Sequence, residues 1–325
     1  MRILNVEPLR YDMDLRGRLA SLGRVDYREC ETQHDLERAL ASADYEALFV
    51  RLGLAVTART LETAPSLRFV ATPTTGLDHL DLDACAARAV AVLSLRGEEA
   101  LLRTVRSTAE HTWGLLLALC RRIPWAHADV LAGHWRREPF LAEELSGKTL
   151  GIVGLGRLGR MVAGYGLAFG MQVIANDVRE DAFAEAPPTV RRVTLVDLLP
   201  ASDVVSLHVP LDESTTGLIG PLQLGSMRRE AVLVNTSRGE VIDEAALAQA
   251  LALEKLGGAA LDVLAGDSRW PASGPPRSSL VDLARSCNRL LITPHVGGYG
   301  RASLARTRCH LVETLRAALE DTHAI

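Results

Sequence analysis

A strand that runs into a glycine-paced turn and then into a helix constrains this chain more than any other feature of its sequence. The apolar run Leu150–Val153 leads into Gly154-Leu155-Gly156-Arg157-Leu158-Gly159, and a helical stretch follows from Arg160. In such a turn the first glycine permits a tight reversal, the second lets the backbone approach a phosphate, and the third lets the new helix lie close on the strand. The start of that helix aims unpaired N–H groups at an anion. Strand, turn and helix together are the unit of a parallel α/β sheet.

Eighteen residues after Gly159, the next apolar run ends at Asp177, where a ribose 2′-hydroxyl needs an acceptor. A carboxylate there repels a 2′-phosphate, so the pattern favours NAD over NADP, and Arg179 nearby can soften that preference. Glycines that merely turn the chain and an aspartate that merely ends a strand are the plainer alternative. The coincidence of strand, turn, helix, second strand and acid weighs against it. Gly154, Gly156, Arg157, Leu158, Gly159 and Asp177 are therefore the expected cofactor-binding residues.

Short β-rich runs separated by helical stretches recur in two series. The first comprises Ile3–Val6, Arg24–Tyr27, Ala47–Val50, Phe69–Ala71 and Val90–Leu93. The second continues from Leu150–Val153 through Gln172–Ala175, Val190–Val193, Val204–Leu207, Ala231–Val234, Gly258–Leu261 and Leu290–Ile292. With 325 residues, 48% of them apolar, the chain can fill two cores. The sequence predicts two doubly wound parallel-sheet α/β domains, the second inserted in the first: residues 1–102 with 296–325, and residues 103–295. Ser107–Arg122 is expected to be a helix connecting the two and closed by Pro124, and Leu304, Leu311, Leu315 and Leu319 mark a last helix packed on the first domain.

A net charge of −4 supplies no basic field for nucleic acid or anionic lipid. The N-terminus has no export-signal pattern and no apolar run approaches a membrane span, so a cytoplasmic location is expected. Five scattered cysteines without a CxxC pair point to neither a disulfide framework nor a metal site.

Three further segments follow apolar runs, at the carboxyl ends of strands where a doubly wound sheet binds ligands. They are Leu207-His208-Val209-Pro210, Val234-Asn235-Thr236-Ser237-Arg238-Gly239, and Thr293-Pro294-His295-Val296-Gly297-Gly298. In order and wording these segments resemble the D-isomer-specific 2-hydroxyacid dehydrogenase family, a resemblance that spans nearly the whole chain. Arg51, the stretch Thr75–Asp81 and Ala109-Glu110-His111-Thr112 add to it.

The resemblance implies a flavodoxin-like substrate domain, a Rossmann domain holding NAD, and hydride transfer between NAD(H) and C2 of a small 2-oxo or 2-hydroxy acid. Arg238 would grip the substrate carboxylate and polarise the 2-oxo group, and His295 would be the acid/base. Asp262 would lie beside the nicotinamide carboxamide. Cofactor contacts are also expected from His208, Pro210, Thr215, Thr236, Ser237 and Gly298, and substrate contacts from Arg51, Leu52, Gly53, Thr75, Gly76 and Arg96. His79 and His111 are read as structural. A closing cleft between the domains is expected to exclude water.

Several positions depart from the family pattern. Asp267 stands where a glutamate usually supports the catalytic histidine, and is expected to keep that orienting role. Ser94–Thr104 is long for its place and carries Arg96 and Arg103, which either read a second anionic group on the substrate or pair with Glu98, Glu99 or solvent. Arg51-Leu52-Gly53 replaces the more usual Arg-Ser. The end at Ile325 implies no added regulatory domain. A homodimer through Trp113–Trp135 is implied, although that apolar stretch suits a buried helix equally. Two other readings stay open: an NAD-sensing corepressor-like binding protein, disfavoured by Arg238 and His295, and a formate- or phosphite-type dehydrogenase, disfavoured by Asp267.

Overall fold

The computed structural model describes residues 1–7, 11–270 and 278–323. The chain divides into two compact units: 1–105 with 266–276 and 300–325, and 106–265 with 277–299. The segment 266–276, expected within the second domain, groups with the first. There the Gly53 N–H donates to the Ser268 carbonyl at 2.8 Å. The loop expected over 267–276 lies outside the described residues from 271 onward.

The first unit holds five parallel strands: β1 (Arg2–Asn5), β2 (Arg24–Tyr27), β3 (Ala47–Phe49), β4 (Phe69–Ala71) and β5 (Ala91–Leu93). Their order is β2-β1-β3-β4-β5, the flavodoxin-like arrangement, with the reversal between β1 and β3. Both faces are covered. Leu4, Leu48 and Val70 pack with Leu36, Leu40 and Leu61 on one side. Ile3, Phe49 and Phe69 pack with Leu311, Val312 and Leu315 of the helix Arg301–His323 on the other. That C-terminal helix is thus part of the first core. A buried ion pair joins the two ends of the chain, with Arg308 Nη2 at 2.6 Å from Glu7 Oε1.

The second unit holds seven parallel strands: β6 (Thr149–Val153), β7 (Gln172–Asn176), β8 (Arg191–Arg192), β9 (Val204–Leu207), β10 (Val232–Asn235), β11 (Gly258–Leu261) and β12 (Leu290–Ile292). The order β12-β11-β10-β9-β6-β7-β8 is the Rossmann pattern with one further strand, reversing between β6 and β9. Central strands β9 and β11 are buried along their whole length, as doubly covered parallel strands must be. All the strands expected from the sequence are present, with ends shifted by no more than one or two residues.

The helix Ser107–Cys120 belongs to this second core, with Trp113 edge-on to Tyr165 and Phe169. Its ending differs from expectation. Arg122 adopts a left-handed conformation (φ 54°), and Pro124 opens a new helix, Ile123–Leu131, because proline suits a first turn whose N–H groups have no partner. Ser94–Thr104 is not an open loop either, since Leu95 and Leu102 are buried around a short helix, Glu99–Leu102. Among the described residues, no helix is long and apolar enough to cross a membrane.

Candidate active site

The loops that leave β6, β7, β9, β10, β11 and β12 stand together at the carboxyl edge of the second sheet. At β6, packing explains two of the three glycines. Gly154 has φ +92°, and a Cβ there would lie 2.8 Å from the His208 carbonyl carbon. A Cβ on Gly159 would lie 2.1 Å from the Gly154 oxygen. Gly156 differs: φ −69° and ψ −165° are open to any residue, and its Cβ would meet only Arg179 Nη2, at 4.0 Å. The protein itself does not require glycine there. The start of the helix Arg157–Ala168 thus leaves room beside Gly156, where the helix's first N–H groups suit an anion such as a pyrophosphate.

Asp177 follows β7. Its Oδ2 accepts the Leu155 N–H at 2.8 Å and its Oδ1 the Arg179 N–H at 2.9 Å, so the acid ties the strand end to the glycine turn. The Arg179 guanidinium stands 3.6 Å from the same carboxylate. Arg157 is half-buried, which lowers its pKa, whereas Leu158 packs into the core and offers a dinucleotide only its backbone.

After β9, His208 Nε2 meets Ser206 Oγ at 2.9 Å, and burial pushes the imidazole down to about 4. It is therefore neutral at physiological pH. Pro210 is exposed beside it. The Thr215 hydroxyl donates to the Pro210 carbonyl at 2.7 Å and accepts the Asp212 N–H at 2.9 Å. Thr215 shapes this loop from within.

The Arg238 loop is held by Asn235, a fully buried residue at the end of β10. Asn235 Oδ1 accepts the Ser237 N–H at 3.0 Å and the Ser237 hydroxyl at 2.8 Å, while its Nδ2 donates to the Arg238 carbonyl at 2.8 Å. Arg238 Nη1 donates to the Ser237 carbonyl, which fixes one corner of the guanidinium. Behind it a Cβ on Gly239 would come within 2.0 Å of Leu264 backbone. Thr236 is buried, its hydroxyl 2.7 Å from that of Thr112.

His295 follows β12 with φ +53°, a left-handed backbone that costs a non-glycine residue about 1–2 kcal/mol. Ala89, Arg122 and Glu254 share this conformation, but each lies just past a helix end, where it is ordinary. His295 instead follows a strand. Its N–H donates to the Asp262 carbonyl at 2.7 Å, and the Asp262 side chain holds the surrounding loop. Oδ1 accepts from Thr293 Oγ1 (2.6 Å), the Val296 N–H (2.9 Å) and His111 Nε2 (3.1 Å), and Oδ2 accepts the Gly297 N–H (2.7 Å). These donors outweigh the desolvation of a buried carboxylate and lower its pKa. Strain held in place at a strand end is a mark of a functional site.

Residues 113–297 match the sequence model of the D-isomer specific 2-hydroxyacid dehydrogenase NAD-binding domain. The chain belongs to the D-isomer specific 2-hydroxyacid dehydrogenase family. It is 37% identical over 286 residues to D-3-phosphoglycerate dehydrogenase of Mycobacterium tuberculosis, covering 88% of this chain and 51% of that one. The chain thus spans about half the length of the curated relatives it matches. Among solved structures, the TT0316 protein of Thermus thermophilus is similar, with a TM-score of 0.83, 32% identity and coverage of 99% and 97% of the two chains. D-lactate dehydrogenase of Aquifex aeolicus, solved with NAD and lactic acid, gives a TM-score of 0.82 at 29% identity, with 99% and 96% covered.

In this 2-hydroxyacid dehydrogenase family member, Asp267 and the expected substrate contacts other than Arg238 lie in the first unit. Arg51, after β3, donates to the Leu52 and Cys30 carbonyls at 2.9 Å each. A Cβ on Gly53, at φ +88°, would meet Arg51 Nη1 at 3.1 Å. Thr75 is exposed, and the Gly76 carbonyl accepts from Thr74 Oγ1 at 2.7 Å. Arg96 is exposed, and the neighbouring Glu98 Oε2 lies 3.3 Å from His310 Nε2. Asp267 opens a short 3-10 turn after Gly266. In the second unit Gly298 is exposed, with nothing near its missing Cβ; the glycine that packing demands is Gly297.

Sequence reasoning assigns no role to Asn235, Thr112 or Glu244. An asparagine at a strand end before a turn does carry a local signal, because its side chain bonds to backbone two residues on. Thr112 and Thr236 are 124 residues apart, and Glu244 caps the Ala265 N–H across 21. Such contacts leave no local trace.

Proposed function

We propose that this chain is an NAD-dependent oxidoreductase acting on a small D-2-hydroxy acid and its 2-oxo partner. The observation that carries this reading is the strained His295 backbone, fixed by Asp262, at the same carboxyl sheet edge as the Asn235-clamped Arg238. Arg238 binds the substrate carboxylate through the outer edge of its guanidinium, and its charge draws electron density from the 2-oxo group. His295 gives a proton to the C2 oxygen during reduction and takes it back during oxidation. NAD(H), cradled at Gly154–Gly159 with its ribose at Asp177, supplies or accepts the hydride at C2. Asp177 supports NAD over NADP. Asp262 has four internal donors on its carboxylate and acts chiefly by holding the 293–297 loop.

On sequence spacing alone, we assign Asp267 as the acid supporting the charged form of His295. Arg51, Leu52, Gly53, Thr75, Gly76 and Arg96 are assigned to the substrate. The exposed Arg96 suits a second anionic group, which makes 3-phosphohydroxypyruvate the first acid to test.

The homodimer is assigned to the segment beyond Trp113. Trp113 itself is in the core, whereas Leu131, Trp135 and Leu141 are 74%, 79% and 84% exposed, an apolar surface that a second copy would cover. Five free thiols suit a reducing cytoplasm.

The decisive assay follows NADH oxidation with glyoxylate, hydroxypyruvate, 3-phosphohydroxypyruvate, phosphonopyruvate and 2-oxoglutarate. Turnover of at least one is expected, with a kcat loss on the order of a hundredfold in Arg238→Ala and His295→Ala. If none turns over, the chain is a cofactor-binding protein rather than an enzyme. Light scattering should return twice the chain mass; a monomer would remove the interface assignment.

A further inference from the structure

We infer that His111 and Thr112, neighbours on the helix Ser107–Cys120, are positioning residues that hold the two reacting loops independently. Thr112 holds the Arg238 loop and His111 the His295 loop. The inference rests on the roles assigned above to Arg238 and His295.

The helix is a rigid mount. Ala109, Trp113, Leu115, Leu116 and Leu119 are buried in the core of the second unit, so the rung between them cannot shift without disturbing that packing. From this rung the hydrogen-bond directions follow from chemistry. Thr112 Oγ1 donates its proton to the Thr108 carbonyl at 2.7 Å, so its oxygen accepts from Thr236 Oγ1, also at 2.7 Å. Thr236 lies two residues before Arg238. The Asp262 carboxylate is an acceptor only, and the Thr293 hydroxyl already donates to it at 2.6 Å. His111 Nε2 must therefore carry the proton, shared between Thr293 Oγ1 at 2.9 Å and Asp262 Oδ1 at 3.1 Å. This bond fixes the carboxylate that also holds Val296 and Gly297 on the far side of His295.

Consecutive helical residues point about 100° apart, so the two bonds leave the helix in different directions and reach different loops. Each loop is thus tied to a common mount. Arg238 governs substrate binding and His295 the proton step, so removal of either tether should leave a different kinetic mark.

The test uses the 325-residue chain, with whichever of the five 2-oxo acids above it reduces fastest as substrate, and hydrogen exchange followed by mass spectrometry. Thr112→Val keeps the shape and removes the acceptor. It should raise KM about tenfold with kcat within about twofold, and speed exchange over 235–241 only. His111→Phe removes the donor. It should lower kcat about tenfold with KM within about twofold, and speed exchange over 293–298 only. Thr112→Ser and His111→Gln, which restore the lost group, should recover most of each loss. A helix that merely packs would loosen both loops in either variant and shift kcat and KM together, and that result overturns the inference. If the unsubstituted protein reduces no 2-oxo acid yet exchange remains loop-specific, the tethers stand and the catalytic roles fall.

Discussion

Gly297 approaches the Asp262 carboxylate so closely that a Cβ on the glycine would lie 2.9 Å from Oδ2. The pair is 35 residues apart in sequence, and its 2.7 Å bond closes the loop that carries His295. In Asp262→Asn, one oxygen that now receives N–H and O–H donors becomes an NH2 group facing donors. Unpaired buried donors cost about 1–3 kcal/mol each. We expect a loss of about 2–4 kcal/mol in urea denaturation, with kcat lowered at least tenfold. An Asp262→Asn protein with unchanged midpoint and kcat would contradict the bonding described.

Gly156 and Gly239 should respond oppositely to alanine. Gly156→Ala meets open space, so the melting temperature should stay within about 2 °C, while NADH affinity by fluorescence falls on the order of tenfold or more. Gly239→Ala drives a methyl into Leu264 backbone and should cost about 3 kcal/mol or more. Equal NADH affinity in Gly156→Ala would remove the cradle from the phosphate site.

His208 sets a pH dependence of stability. Its folded pKa of about 4 lies below the ordinary histidine value of about 6.5, so the unfolded chain binds the extra proton first. Its contribution is complete above about pH 6.5 and is lost as pH falls toward 4, by roughly 3 kcal/mol at most. A His208→Gln variant should flatten that stretch of the urea-midpoint profile. A parallel profile in the variant would place the acid sensitivity elsewhere.

The buried pair of Glu7 and Arg308 closes the first unit by joining the end of β1 to the C-terminal helix. Removing one partner strands the other charge away from water, so Glu7→Gln or Arg308→Met should cost about 3–5 kcal/mol. Replacing both should cost less than the sum of the two. Equilibrium denaturation of the three variants measures this directly, and additive losses would mean the charges do not interact.

Much of this fold is legible in the order of the residues. Strand-length, largely apolar runs place the interior strands, because a parallel strand covered on both faces is buried along its length, as in Val204–Leu207. The glycine turn is legible because its three glycines stand within six residues of one another, although the contact that requires Gly154, with His208, is not local. Where the sequence misleads, the deciding contact is not local. Pro124 has the mark of a terminator, yet the break is made two residues earlier by Arg122. Leu95 and Leu102 resemble loop residues because nothing nearby in sequence shows the core that receives them. Asp262 reads as facing a cofactor, and the donors its carboxylate receives from residues 31 to 151 positions away are contacts that no local pattern shows.

Sequence by itself determined the parallel α/β architecture, the glycine turn and the placing of Arg238 and His295 just past strand ends, since period, turn chemistry and motif order are properties of neighbouring residues. Only tertiary structure decided how those side chains are aimed. His295 keeps a left-handed backbone because Asp262 holds it there. Arg238 is presented by Asn235, and both loops hang from adjacent residues of one helix. Bonds between distant segments exist only once the sheet has brought their ends together.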